Sequence, residues 1–218
     1  APMRENLAAS VIRASRWDRK SAFVNPMCGS GTLAIEAALL ATNRPAGILR
    51  DNFAFMHLEG YRHEDFEKIR SEIKDQGTDK LDFPIIATDR NTGAVDAALR
   101  NAEFAGVEHL IEFDVCDFKE TRIPEDPGVM VFNPEYGDRM GEEQELVSTY
   151  QEIGDLFKQK CPGYWGYIFT GNPSLGKRVG LKTKRKIEFY NGPIECRLLE
   201  YELYSGTRIP KYVNQEKE

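Results

Sequence analysis

The residues with the clearest chemical potential stand at positions 133–136, directly after an apolar run. They are Asn133, Pro134, Glu135 and Tyr136. An amide oxygen and a neighbouring backbone carbonyl can both accept protons from an –NH2 group, and Pro134 restricts Asn133 to extended geometry. Two such acceptors would draw the lone pair of an aromatic amine out of conjugation, while Tyr136 offers a flat face for stacking a base. The alternative is a plain turn, because Asn-Pro and Tyr-Gly both favour turns.

A second segment, residues 25–32, joins a short apolar strand to a helix. It reads Asn25-Pro26-Met27-Cys28-Gly29-Ser30-Gly31-Thr32. Glycines let a ligand approach the backbone closely, and the start of the helix offers free amide groups. The spacing Gly29-x-Gly31-x-x-Ala34 also fits the dinucleotide fingerprint. A tight turn between the strand and the helix is the other interpretation.

Two carboxylates follow neighbouring strands of the predicted sheet. Asp89 ends a strand and can accept both hydroxyls of a ribose, or it can serve as a negative charge at a helix start. Asp117 follows the next strand and can accept a hydrogen bond from an adenine amino group, with Phe118 or Cys116 against the ring. Alternatively, Asp117 is an ordinary polar residue of a surface loop.

The elements that must position these residues alternate between strand and helix. This alternation predicts an α/β fold with a mostly parallel, doubly wound sheet and a C-terminal antiparallel hairpin over 184–204. Ligands in such sheets bind at the carboxyl ends of the strands, where the segments 25–32, 89–91 and 133–137 all fall. Strands are predicted near 22–25, 84–89, 110–115, 128–133 and 164–170, helices near 4–17, 32–43, 91–105 and 142–160, and an insertion on the domain edge over 44–83.

The composition fits one globular domain. The chain has 218 residues, of which 41% are hydrophobic and 29% charged, and no apolar run approaches the roughly 20 residues of a bilayer span. The four cysteines are widely separated, which favours reduced thiols in a cytoplasmic protein. We also expect no association with membranes. No metal is expected, because the three histidines (His57, His63 and His109) form no cluster with ligand spacing.

A nucleic-acid partner must meet a local basic patch, because the formal net charge is -6. Residues 177–186 supply one candidate, a predicted flexible loop without an acidic residue. Its six cations are Lys177, Arg178, Lys182, Lys184, Arg185 and Lys186. Such a loop can hold phosphates, or it can simply balance charge on a solvated surface.

Four motifs together resemble the catalytic domain of the THUMP-associated RNA guanine-N2 methyltransferases, and the resemblance covers nearly the whole chain. Members of this family are often labelled N6-adenine-specific DNA methylases because of a shared Asn-Pro-x-Tyr element. The motifs are residues 25–32, Ile35-Glu36-Ala37-Ala38, Asn133-Pro134-x-Tyr136-Gly137-x-Arg139 and Tyr190-Asn191-Gly192-x-Ile194-Glu195-Cys196.

The resemblance implies a Rossmann-like class I methyltransferase domain over 1–218, taken from a longer chain with an N-terminal THUMP module. It implies S-adenosylmethionine as methyl donor, S-adenosylhomocysteine as product and no metal. The expected reaction is transfer of a methyl group to the N2 amine of a guanine in RNA. Large-subunit ribosomal RNA is the preferred expectation for the substrate, and tRNA is the alternative. The oligomeric state is left open.

The same resemblance implies roles for individual residues. Asn133, Pro134 and Tyr136 are the expected catalytic group. The expected cofactor contacts are Asn25, Pro26, Cys28, Gly29, Gly31, Thr32, Asp89, Arg90, Asp117, Phe118 and Asn133. The expected RNA contacts are Glu135, Arg139, Lys177, Arg178, Lys182, Lys184 and Arg185.

Two positions depart from the family pattern and keep alternatives open. Asn25 stands where Asp is usual, and Glu135 stands where a second proline is usual. Asn25 removes a negative charge near the cationic donor, and Glu135 loosens the loop and adds a negative charge beside the base pocket. The alternatives are methylation of an adenine amino group or of a protein glutamine amide, and a module that binds S-adenosylmethionine or RNA without catalysis. A nicotinamide-dependent dehydrogenase is a further alternative, but it leaves residues 133–137 unexplained.

Overall fold

The computed structural model describes residues 3–44, 50–74, 77–136 and 142–204, and a seven-stranded sheet lies at its centre. The strands are β1 (Phe23–Pro26), β2 (Ile85–Asp89), β3 (Ile111–Val115), β4 (Val129–Phe132), β5 (Trp165–Thr170), β6 (Arg185–Asn191) and β7 (Ile194–Glu202). Their order is β3-β2-β1-β4-β5-β7-β6. Strands β1 to β5 run parallel, and β7 pairs antiparallel with both β5 and β6. The predicted fold class is therefore confirmed.

Helices cover both faces of the sheet, as the doubly wound prediction requires. They are α1 (Glu5–Ala14), α2 (Thr32–Ala41), α3 (His63–Lys74), α4 (Thr92–Ala105), α5 (Glu142–Lys160) and α6 (Pro173–Gly176). Buried residues of α1, α2 and α4 form one core with one face, and α5 and α6 form a second core with the other. Strand β4 is buried along its whole length, which explains its unbroken apolar sequence.

Local signals set the ends of α4 as predicted. The Asn91 side chain accepts a hydrogen bond from the Ala94 amide at 3.2 Å, and Gly106 ends the helix with a φ of 68°. Helix α1 is shorter than predicted, because the chain is already extended at Ser15. The hairpin turn is formed by Gly192 and Pro193, and Gly192 takes the positive φ of 63° that such a two-residue turn needs.

The predicted insertion adds no strand among its described residues, 50–74 and 77–83. Residues 50–74 form a short 3-10 helix (Ala54–His57) and α3, with no buried residue. Their aromatic rings contact one another, with Phe53 stacked on Phe55 at 5.2 Å between ring centroids. The segment therefore forms a small aromatic cluster of its own.

The prediction of a flexible loop over 177–186 is wrong. Residues Lys177–Val179 form a 3-10 helix directly after α6, and Arg185 and Lys186 are the first residues of β6. Val179 is buried on the second core, so this short helix is tied to the domain. Only residues 180–184 connect the two elements.

Candidate active site

Three of the predicted segments meet at one edge of the sheet. Strand β1 lies between β2 and β4, and the carboxyl ends of all three point the same way. A cavity of about 240 Å³ opens at this edge. Its lining residues are Met3, Asn25, Met27, Cys28, Gly29, Ser30, Thr32, Leu33 and Asn133. The topology thus brings the glycine segment and Asn133 to the same cavity.

The two glycines of the first segment have different functions. A Cβ on Gly31 would lie 2.8 Å from the Ala98 Cβ, so this glycine permits close packing against α4. A Cβ on Gly29 would meet no atom within 4 Å, although its φ of +55° still disfavours a side chain. Gly31 is therefore needed for packing, whereas Gly29 leaves open space at the cavity.

Asp89 connects the end of β2 to the glycine segment. Its Oδ2 accepts a hydrogen bond from the Gly29 amide at 3.0 Å, and its Oδ1 accepts one from the Asn91 amide at 3.0 Å. The side chain that caps α4 is Asn91, so Asp89 is not needed for that purpose. Each carboxylate oxygen retains a lone pair for a further donor, such as a ribose hydroxyl.

Asn25 is fully buried, and one end of its amide has no partner. Nδ2 donates to the Val131 carbonyl at 2.8 Å, while Oδ1 has no hydrogen-bond partner among the described residues. A buried acceptor without a donor is costly, and a ligand that supplies an N–H group would satisfy it. Asn25 also lines the cavity, so a ligand bound there lies beside its side chain.

The end of β3 provides a less open surface. Asp117 Oδ1 accepts from the Lys119 amide at 2.9 Å and begins a 3-10 helix over Phe118–Glu120. The Phe118 ring is buried and packs edge-on against Phe132, with 5.8 Å between ring centroids. At this strand end, Cys116 and Asp117 are partly buried, whereas Val115 is exposed and offers an apolar surface.

The cavity does not hold a reactive thiolate. Burial, with a contribution from the Asp89 charge, raises the pKa of the Cys28 thiol to about 12. The thiol is therefore protonated near neutral pH, which disfavours Cys28 as a nucleophile. The described residues also contain no group of three or more His, Cys, Asp or Glu side chains arranged to hold a metal ion.

The Asn133 loop is held by side chains that the sequence analysis did not identify. Tyr150 donates from its hydroxyl to the Glu135 carbonyl at 3.3 Å and is hydrogen-bonded to Thr170 Oγ1 at 2.8 Å. Asn172 Nδ2 donates to the Tyr136 carbonyl at 3.3 Å. These partners lie on α5 and just beyond β5, so no local motif marks them.

Within the loop, Asn133 and Tyr136 are joined directly. The Tyr136 hydroxyl donates to Asn133 Oδ1 at 2.8 Å. Pro134 is buried and Glu135 is exposed, whereas Asn133 and Tyr136 are partly buried. The Tyr136 ring is tilted against Phe169 at 6.3 Å between centroids. The loop is therefore an ordered structure next to the cavity.

The six basic residues among the predicted RNA contacts fall into three groups. Lys177, Arg178 and Lys182 are exposed. Lys184 Nζ lies 2.5 Å from Glu202 Oε2, and Arg185 Nε lies 2.9 Å from Glu200 Oε1. Arg139 lies outside the described residues. The structure thus engages two of the predicted cations in acidic pairs within the hairpin.

Arg185 belongs to a charged cluster around Glu200, whose side chain is fully buried. Arg16 Nε lies 3.1 Å from Glu200 Oε1, and the Tyr167 hydroxyl donates to Oε2 at 3.2 Å. Burial raises the pKa of Glu200, but hydrogen bonds from Arg185 and Arg16 outweigh it, so the net shift is downward. A lowered folded-state pKa stabilises the fold above the unfolded-state pKa, and this contribution is lost as the pH falls.

Glu200→Gln is expected to lower the free energy of unfolding at pH 7 by about 1 to 2 kcal/mol, because both arginines keep nearly half their side-chain surface in water. Urea unfolding of both proteins at pH 7 and pH 4 measures the free energies of unfolding. The wild type should lose stability toward pH 4 more steeply than Glu200→Gln. Parallel pH profiles for the two proteins would contradict the assigned pKa direction.

No helix in the described part of the chain is long and apolar enough to cross a membrane.

The solved structure of SMU.472, a putative methyltransferase complexed with S-adenosylhomocysteine, superposes with a TM-score of 0.85 and is 28% identical. It covers 95% of this chain and 54% of its own. The sheet and the cavity at its edge therefore have the architecture of a class I methyltransferase domain.

Within this class, the chain belongs to the RMKL-like methyltransferase domain family, whose profile matches residues 1–200. The resemblance found in the sequence is thus confirmed. The ribosomal RNA large subunit methyltransferase K/L of Syntrophotalea carbinolica is 36% identical over 93% of this chain. The protein of the same name from Legionella pneumophila strain Philadelphia 1 is 34% identical over 98% of it.

The chain spans only part of these longer relatives. It covers 30% of the Syntrophotalea protein and 31% of the Legionella protein. The expectation of an N-terminal THUMP module stays a prediction.

Proposed function

We propose that this chain is a catalytic domain that transfers a methyl group from S-adenosylmethionine to the N2 amine of a guanine in large-subunit ribosomal RNA. The observation that carries the proposal is that Asn133 lines the same cavity as the glycine segment and Asn25, whose Oδ1 has no partner among the described residues. One site thus offers an acceptor for a ligand ammonium and an acceptor for a target amine. The names of the curated relatives support the choice of ribosomal RNA.

On the donor side, the described residues fit each part of the cofactor. Asn25 Oδ1 accepts from the methionine ammonium, and Gly29 leaves room for the methionine backbone. Asp89 accepts from the ribose hydroxyls, and Asp117 accepts from the adenine amino group. Pro26, Cys28, Gly31, Thr32 and Arg90 belong to the same segments and complete the proposed contacts, with Phe118 behind Asp117. When bound, S-adenosylmethionine supplies an electrophilic methyl group.

The Asn25 assignment makes a separate prediction about stability. In Asn25→Asp, the new carboxylate cannot donate to the Val131 carbonyl and is buried without a cation. The free energy of unfolding of the ligand-free protein should fall by about 2 kcal/mol. S-adenosylhomocysteine should restore part of this loss, because its ammonium pairs with the carboxylate. Denaturant unfolding with and without the ligand tests both effects, and equal stability of the two ligand-free proteins would contradict the assignment.

On the acceptor side, Asn133 Oδ1 and the Pro134 carbonyl accept the two protons of the target amine. This arrangement directs the amine lone pair toward the cavity. A displacement at a methyl group requires alignment more than acid–base help, so holding both partners in place supplies most of the rate. The base is proposed to enter past Tyr136, which is partly buried, and past Glu135, which is exposed.

RNA is proposed to approach over the exposed cations that follow β5. Lys177, Arg178 and Lys182 are exposed, and no ion pair engages them within the described residues. Arg139 belongs to the proposed contacts through its motif. Lys184 and Arg185 contribute less, because Glu202 and Glu200 offset their charges.

A methyl-transfer assay with labelled S-adenosylmethionine tests the proposal. The substrates are undermethylated ribosomal RNA, tRNA, DNA and a glutamine-containing peptide. Label recovered as N2-methylguanosine from ribosomal RNA supports the proposal, and label in N6-methyladenosine or in the peptide replaces its substrate. Binding of the cofactor without transfer to any substrate would leave a module that binds S-adenosylmethionine without catalysis.

A further inference from the structure

We propose that Tyr136 is a positioning residue, whose hydroxyl holds the Asn133 amide with its oxygen end toward the target amine. The inference deepens the proposed function and rests on it. It also gives a purpose to the hairpin motif at residues 190–196, which the proposed transfer reaction by itself does not use.

The first step concerns the two ends of the Asn133 side chain. An amide has an oxygen end that accepts and a nitrogen end that donates, and the two ends are nearly equal in size. Only the oxygen end can receive a proton from an –NH2 group. The Tyr136 hydroxyl donates to Asn133 Oδ1 at 2.8 Å, and this oxygen keeps a second lone pair for the amine.

The second step concerns the surroundings of the Tyr136 hydroxyl. Asn191 and Cys196 of the hairpin lie near this hydroxyl and shift its pKa in opposite directions. In the structure, the hydroxyl proton is directed to Asn133 Oδ1. A reversed Asn133 amide would turn its –NH2 end toward the hydroxyl and remove this oxygen acceptor.

The third step concerns the ring of Tyr136, which is clamped between β5 and the hairpin. A Cβ on Gly171 would lie 3.0 Å from Tyr136 Cδ2 and 3.0 Å from Ile194 Cγ2, so only glycine leaves room for both side chains. Phe169 contacts the same ring, and Asn172 holds the Tyr136 carbonyl. The hydroxyl is therefore fixed relative to the loop backbone.

The fourth step concerns the charge of Tyr136. Burial, with contributions from Cys196 and Tyr150, raises the pKa of the Tyr136 hydroxyl far above its usual value. The hydroxyl therefore remains a neutral donor near neutral pH. Its hydrogen bond to Asn133 can set the amide orientation before the base arrives.

The kinetic test replaces Tyr136 with phenylalanine, which keeps the ring and removes the hydroxyl. We expect kcat at saturating RNA to fall about tenfold, with KM for RNA and Kd for S-adenosylhomocysteine within about twofold of wild type. Tyr190→Phe is the matched control, because the Tyr190 side chain lies in the same hairpin but is 64% exposed. A Tyr136→Phe variant with wild-type kcat would overturn the inference and leave Tyr136 with stacking alone.

A second measurement needs no turnover. In protein labelled with ¹⁵N-asparagine, the side-chain –NH2 pair of Asn133 is identified by its loss in Asn133→Asp. In Tyr136→Phe, this pair should shift and broaden as the amide samples both orientations, and in Tyr190→Phe it should not change. An unchanged pair in Tyr136→Phe would overturn the inference. Because no RNA is present, this result is independent of whether the proposed substrate is correct.

Discussion

Asn133→Ala is expected to reduce methyl transfer by about a hundredfold to a thousandfold, while the affinity for S-adenosylhomocysteine stays within about threefold. The substitution removes the side-chain acceptor of the amine and the partner of the Tyr136 hydroxyl. Asn133 contributes only one of several surfaces to the cavity, so the cofactor keeps most of its contacts. Single-turnover transfer and calorimetric titration measure the two effects separately.

The matched control for this prediction is Asn6→Ala. Asn6 is exposed on α1, away from the cavity lining, and its removal should change neither quantity. Asn133→Asp is an informative intermediate, because it retains an acceptor for the amine and for Tyr136. We expect Asn133→Asp to keep more activity than Asn133→Ala. A rate for Asn133→Ala above a third of the wild-type rate would contradict an acceptor role for Asn133.

The placement of the site could be predicted from the sequence, because topology constrains it strongly. Apolar runs ending at Asn25, Asp89 and Asn133 read as parallel strands, and the carboxyl ends of neighbouring parallel strands share one edge. The hydrogen bond from Gly29 to Asp89 spans 60 residues of sequence, yet it follows from that shared edge. The insertion between the two segments does not change the distance between the strand ends.

The support of the Asn133 loop could not be predicted in this way. Tyr150 and Asn172 contact the loop from 15 and 36 residues away, and both read as ordinary residues of a helix and a turn. The sequence predicts Phe118 against an adenine ring, but the Phe118 side chain is buried in the second core instead. An apolar side chain suits both environments. A pattern of residue types does not decide between these two environments.

The cations of residues 177–186 show a different limit of sequence analysis. A cluster of cations predicts a solvated loop when its acidic partners are distant in sequence. Arg185 begins a strand because Glu200, 15 residues later, lies opposite it in the hairpin and supplies a buried carboxylate. Lys177 and Lys182 have no acidic partner among the described residues, and both are exposed.

Asp89→Ala is expected to weaken S-adenosylhomocysteine binding about a hundredfold, measured by calorimetry. The change removes the proposed acceptor of the ribose hydroxyls, and hydrogen bonds to a carboxylate are worth about 1.5–3 kcal/mol each. It also removes the acceptor of the Gly29 and Asn91 amides, so the glycine segment loses one of its hydrogen bonds to the end of β2. Both losses act next to Gly29, which lines the cavity.

Two comparisons separate the ribose contact from a general loss of structure. Asp96→Ala removes an exposed carboxylate from α4 and should leave the affinity for S-adenosylhomocysteine unchanged. 5′-Methylthioadenosine retains the ribose but lacks the methionine ammonium, so Asp89→Ala should weaken its binding by a similar factor. If Asp89→Ala binds S-adenosylhomocysteine within threefold of wild type, the ribose does not lie at the end of β2. The cofactor would then have to occupy the cavity in a different orientation, with Asp89 serving only to hold the Gly29 amide.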